Sequence, residues 1–119
     1  MDIKREDLLR LYYYLKLTRR LEDRVTSLYH QGKILGGAWT SNGMEEVSVG
    51  YGCALERDDI AAPYFRDMGV FLVRGISAKR IMAQYLGKKT GVTGGKEGNV
   101  HIGDLNFGVF AFPSHLADN

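Results

Sequence analysis

The chain has 119 residues, 45% of them hydrophobic and 25% charged, which is the size and composition of one globular domain able to hold a core. Lys and Arg number 16 against 14 Asp and Glu, and a net charge of +2 on scattered basic residues argues against nucleic acid or an acidic membrane as the partner. The single cysteine, Cys53, excludes an internal disulfide and reads as a core residue in a reducing compartment; with no leader pattern and no apolar run near the roughly 20 residues of a membrane span, the expectation is a soluble, cytoplasmic protein.

From about Arg5 to Gln31, Leu8, Leu11, Tyr12, Leu15, Leu21, Val25 and Leu28 recur at spacings of three and four, which predicts an amphipathic helix of about 40 Å. Gly32 supplies a left-handed terminus. Tyr13, Tyr14 and Leu17 widen the apolar face, so the helix is expected to be clasped from more than one side. A second helix, about Met44 to Leu55, follows a glycine-rich connection; Asn42 as N-cap and Glu45 three residues on form an approximate capping box. Val47, Gly50, Cys53 and Ala54 give it a small-residue face suited to close packing.

Residues 60–63 predict a short buried strand stopped by Pro63, followed by Tyr64-Phe65-Arg66-Asp67 and an apolar helical turn or two ending at Gly75. Side chains at the carboxyl end of a strand occupy the place where open α/β sheets bind ligands. Ser77 caps a further helix to about Leu86, with Ile81, Met82 and Tyr85 inward and Gly87 at its end. A glycine-rich loop runs to about Gly108, and residues 109–112 predict a second buried strand. The fold class expected is therefore α/β, a long N-terminal helix arm (1–35) followed by the start of an α/β core (36–119) with short parallel strands.

Within the loop, Gly94-Gly95-Lys96-Glu97-Gly98-Asn99-Val100-His101 reads either as a surface connector or as an ordered loop held against a ligand. It is not a phosphate-binding P-loop, because Glu97 follows Lys96 where a hydroxyl residue is required, and it does not open a helix after a strand as a dinucleotide fingerprint would. His30, His101 and His115 have no ligand-spaced companions for a metal. Arg66, after two aromatics, suits a phosphate or carboxylate gripped through paired N–H donors, or else pairs with Asp67 or another acid nearby.

The order of the pieces is more informative than any one of them. Arg19 to Glu22, Gly32-Lys33-Ile34, Gly43-Met44-Glu45-Glu46, Phe65-Arg66-Asp67-Met68-Gly69 and Gly95 to His101 together resemble the alpha subunit of the thiamine-diphosphate-dependent 2-oxo acid dehydrogenases, from about residue 8 onward. The resemblance implies a partial thiamine-diphosphate-binding fold and oxidative decarboxylation of a 2-oxo acid with transfer of the acyl group to a lipoyl carrier. It implies that Phe65 and Arg66, where the family has Tyr-Arg, lie against the cofactor's diphosphate, with Tyr64 replacing the lost hydroxyl or the contact absent. By the same resemblance His101 faces the substrate channel, Ser114 and Leu116 meet the aminopyrimidine ring, and Trp39 lines the channel where pyruvate-type enzymes carry histidine. The Mg²⁺ ligands are expected beyond residue 119, and the activating glutamate from a beta subunit in a heterotetramer that serves a lipoyl acyltransferase. The chain is then the amino-terminal portion of an alpha subunit, inactive alone; the other reading left open is a non-catalytic interaction fragment of a larger α/β assembly.

Overall fold

In the computed structural model, residues 3–96 and 101–111 are described. The first helix, α1, spans Arg5–His30, close to its expected bounds. Its carboxyl-terminal half is the buried half, through Thr18, Leu21, Glu22, Val25 and Leu28. The clasp is thus one-ended: Tyr14 and Leu17 pack at the edge of the core, whereas Leu8, Leu9, Tyr12 and Tyr13 are exposed. Helices α2 (Glu45–Ala54), α3 (Met68–Val73) and α4 (Ala78–Tyr85) follow, then a 3₁₀ turn at Leu105–Phe107.

Three helices stop by the same device. After α1, Gly32 has φ +69°, its N–H donates to the Tyr29 carbonyl and that of Lys33 to the Leu28 carbonyl. Gly75 with Ile76 repeats this pattern after α3, and Gly87 with Lys88 after α4. Each pair satisfies two carbonyls that the helix end would leave unbonded, and only glycine takes the left-handed position without strain. Ser77 caps α4 as expected, its Oγ accepting from the Arg80 N–H at 3.3 Å. The start of α2 differs from expectation: Met44 is the N-cap residue and Asn42 is exposed, while the Glu45 carboxylate accepts from the Gly43 N–H at 3.0 Å.

All six residues of α3 are buried, and the core forms around them. Met68, Phe71 and Leu72 meet Leu21, Val25 and Leu28 of α1, Ile81 and Tyr85 of α4, and Ile34, Ile76, Ile102 and Val109 from the connections. The contact between α2 and α3 is so close that a β-carbon on Gly69 would lie 2.8 Å from the Val49 backbone nitrogen and 2.5 Å from Ser48 Oγ. The small-residue face of α2 that makes this contact is Ser48, Val49 and Gly52, not the expected Val47, Gly50, Cys53 and Ala54. Cys53 is correspondingly half-buried, lining a shallow groove with Leu11 and Ala54, where burial still pushes its thiol pKa upward.

The expected short parallel strands are not present among the described residues, and the fold there is mostly helical. What forms is one parallel bridge between Ala61 and Val109, made by Ala61 N–H to the Gly108 carbonyl and Phe110 N–H to the Ala61 carbonyl, both 2.8 Å. Local chemistry limits it to one residue pair. Pro63 has no N–H to continue the ladder, and Gly108 leaves the extended region at φ +63°. Val109 spends its own N–H and carbonyl on Asp104 in a tight turn. No helix of the described residues is long and apolar enough to cross a membrane.

Candidate functional site

Between Ala61 and α3 the chain makes a turn that presents Tyr64, Phe65 and Arg66. The turn is closed twice by one residue: the Asp67 N–H donates to the Tyr64 carbonyl at 2.9 Å, and the Asp67 carboxylate accepts from the Tyr64 N–H at 2.9 Å. Asp67 is thus engaged in closing the turn. Among the described residues no ion pair involves Arg66, which is exposed. Its guanidinium carbon lies 5.8 Å from the ring centroid of Trp39 and 5.7 Å from that of Phe65, within range of cation–π attraction. The Phe65 ring in turn lies 5.8 Å from Trp39 and 4.0 Å from Tyr64. Trp39, Tyr64, Phe65 and Arg66, separated by up to 27 positions in sequence, therefore form one aromatic cluster with a cation at its open side.

The segment carrying Trp39 is anchored to α1 through acids that sequence periodicity did not single out. Glu22, 1% exposed, accepts from the Ser41 N–H and from Ser41 Oγ, each at 2.9 Å. One helical turn earlier, Arg19 forms a short ion pair with Glu45, whose other oxygen takes the Gly43 N–H. Burial pushes the Glu22 carboxyl above its ordinary value near 4.5, against the lowering effect of Ser41, whereas the hydrogen bond from Arg19 holds Glu45 below it. The same burial, with Glu22 nearby, pushes the Tyr85 phenol well up.

These two acids have opposite pH consequences. Because the folded state holds the Glu22 proton more tightly than the unfolded chain, its contribution to stability is lost as pH rises from about 4.5 through the raised folded value. The Glu45 contribution is present above about 4.5 and is lost as pH falls below it. Glu22→Gln, which cannot ionise, is expected to gain stability relative to the parent chain as pH is raised from 4.5 to 8. Urea midpoints across that range measure it, and a difference independent of pH would contradict it.

The first half of the glycine-rich loop is a compact turn held by its own chain. Gln84 of α4, 1% exposed, accepts from the N–H groups of Thr93 (3.0 Å) and Gly95 (3.3 Å) and donates to the Lys96 carbonyl (2.5 Å). Gly91 packs on the α4 backbone, where a β-carbon would sit 2.9 Å from the Gln84 nitrogen. This part of the loop is thus held by hydrogen bonds to α4. His101 is half-buried and leads into Ile102, which is 2% exposed in the core. Residues 97–100, Ser114, His115 and Leu116 lie outside the described residues.

The described residues thus bring Trp39, Tyr64, Phe65 and Arg66 together after the long helix, and hold the first half of the glycine-rich loop on α4. The chain belongs to the dehydrogenase E1 component family, whose model matches residues 13–115. It is 35% identical over 115 residues to the pyruvate dehydrogenase E1 component subunit alpha of Porphyra purpurea, covering 94% of this chain and 33% of that protein. Similar subunits are found in Zymomonas mobilis, 38% identical over 82% of this chain and 28% of that protein, and as a chloroplastic alpha-3 form in Oryza sativa, 35% identical over 84% and 24%. The chain thus spans about a third or less of the length of the curated relatives it matches. Chloroplastic and mitochondrial forms are both among the relatives, so the likeness assigns no compartment, and the cytoplasmic expectation gains nothing from it.

Proposed function

We propose that residues 1–119 form the amino-terminal part of one thiamine-diphosphate-binding domain of an alpha-type subunit, carrying one wall of the site at which a 2-oxo acid is oxidatively decarboxylated. The observation that carries this reading is Arg66, exposed over Trp39 and Phe65 with no ion pair among the described residues. Its planar set of N–H donors fits a diphosphate, which can accept two of them at once. The chemistry supplied by the cofactor when bound is an electron sink for the loss of CO₂ from the 2-oxo acid.

The chain's own residues bind, orient and enclose. Arg66 grips the diphosphate; Phe65 and Tyr64 back the guanidinium and keep water from one side of it. Trp39 walls the substrate side, where a large apolar ring in place of histidine favours something other than pyruvate. His101 faces the substrate channel, and Ser114 and Leu116 offer backbone groups to the aminopyrimidine. Ligands for Mg²⁺ come from beyond residue 119, the activating glutamate from a beta subunit, and the acyl group leaves on a lipoyl acyltransferase. The 119 residues alone are expected to be inactive.

The test is Arg66→Ala in the complete assembly. Loss of a charge-assisted contact predicts cofactor affinity weaker by about 10- to 100-fold, corresponding to about 1.5–3 kcal/mol, measured by calorimetry with thiamine diphosphate and Mg²⁺. Unchanged affinity and activity would reject the assignment. A second reading, a non-catalytic interaction fragment, draws support from the exposed Met44, Val47 and Tyr51 along α2 and Leu8, Leu9, Tyr12 and Tyr13 on α1. It predicts partner binding indifferent to Arg66.

A further inference from the structure

Trp39 is half-exposed and lies in a connection without regular structure, yet its ring is set against Phe65 and Arg66. Something other than burial must hold it there. Two residues downstream, Ser41 is 3% exposed and gives both its N–H and its hydroxyl to Glu22; four residues downstream, Gly43 gives its N–H to Glu45, which Arg19 holds. On the upstream side Gly37 passes so near the indole that a β-carbon there would lie 2.6 Å from the Trp39 Nε1. The connection is therefore fixed immediately after Trp39 to α1 through Ser41 and to the first residue of α2 through Gly43, and fitted around the indole just before it.

We infer that Glu22, acting through Ser41, is a positioning residue that sets Trp39 against Phe65 and Arg66. Glu22 is buried in α1, and its carboxylate reaches the site only through the backbone and hydroxyl of Ser41. An acid is suited to this work because it accepts both donors of one serine at once, whereas an apolar residue at this position would leave Ser41 buried with unmet donors. The significance of Trp39 as the substrate wall rests on the proposed function; the anchoring does not.

Trp39 is the only tryptophan in the chain, so its fluorescence reports its own packing. Ser41→Ala, Glu22→Ala and Glu22→Gln are compared in the full chain without ligand. In Ser41→Ala and Glu22→Ala the emission is expected to move to longer wavelength and acrylamide quenching to increase, with amide exchange over residues 38–43 faster by about tenfold, the equivalent of one hydrogen bond to a charged group. Glu22→Gln, which keeps an acceptor, should largely restore the parent spectrum. Gly52→Ala is the control for stability loss alone: it strains the contact of α2 with Val70 and Val73 and should leave the native Trp39 emission unchanged. The inference is overturned if Ser41→Ala leaves emission and quenching at parent values, or if Gly52→Ala shifts them as much. Should Glu22→Ala fail to fold, Ser41→Ala and Glu22→Gln decide it. A shifted Trp39 spectrum together with cofactor affinity indifferent to Arg66→Ala would keep the anchoring and remove the proposed site.

Discussion

Gly69→Ala is expected to destabilise the chain by about 1–3 kcal/mol, although alanine is by itself the better helix former by about 1 kcal/mol. The added carbon would meet Ser48 Oγ at 2.5 Å, Val49 Cγ2 at 2.6 Å and the Val49 backbone nitrogen at 2.8 Å. A side chain can rotate away, but the backbone of α2 cannot move without separating the helices. Ser48 would also have to give up the hydrogen bond its Oγ accepts from the Gly69 N–H at 3.2 Å. Gly50 provides the internal comparison. It lies in α2 with nothing within 4 Å of its would-be β-carbon, so Gly50→Ala should stabilise by up to about 1 kcal/mol. Urea denaturation of the two variants should therefore shift in opposite directions, and a shared direction would mean that the contact of α2 with α3 is looser than described.

Arg74→Ala is expected to cost about 2–3 kcal/mol, through a mechanism that involves no acid at all. The Arg74 guanidinium donates to four backbone carbonyls: Phe107 at 2.9 Å, Glu56 at 2.7 Å, Arg57 at 3.1 Å and Asp59 at 2.9 Å. Most of these groups are reachable by water, which is why the loss is well below four times the value of a buried bond. Gly108 lets the chain pass close to this guanidinium, and a β-carbon there would also lie 2.8 Å from the Asp59 carbonyl. Arg74→Lys should recover little, since an ammonium cannot span all four carbonyls as a planar fork does. Amide exchange distinguishes this from a general loosening: the Ala61 and Phe110 N–H groups should lose protection first, because the residues that Arg74 ties together flank the bridge they form.

The helices were legible in the sequence because their signals are local. Gly32, Gly75 and Gly87 mark helix ends through a backbone conformation that other residues resist, and Ser77 marks a start through its own hydroxyl. The strands were over-read for the complementary reason. An apolar run at residues 60–63 or 109–112 becomes a strand only if neighbours accept its hydrogen bonds, and the run itself does not reveal whether they do. Arg74, Gln84 and Glu22 escaped notice as organisers because most of their partners are backbone atoms, which every residue has and no sequence letter records. One signal was available: Glu22 falls on the buried stripe of α1 with Thr18, Leu21 and Val25, and an acid in that phase calls for a donor. The approach of Arg66 to Trp39 was not legible, since nothing in the intervening 26 residues states that the two meet.

The Ala61 to Val109 bridge is small, but it fixes a direction. Ala61 uses its N–H and its carbonyl on the two neighbours of Val109, so the two segments are committed to running the same way before any sheet exists. Ile60 and Phe110 beside it remain exposed, at 70% and 56%. A strand added at either side would inherit its polarity and its register from this first pair. The influence of Arg74 thus extends past the four carbonyls it holds, to the relative direction of the two segments they flank.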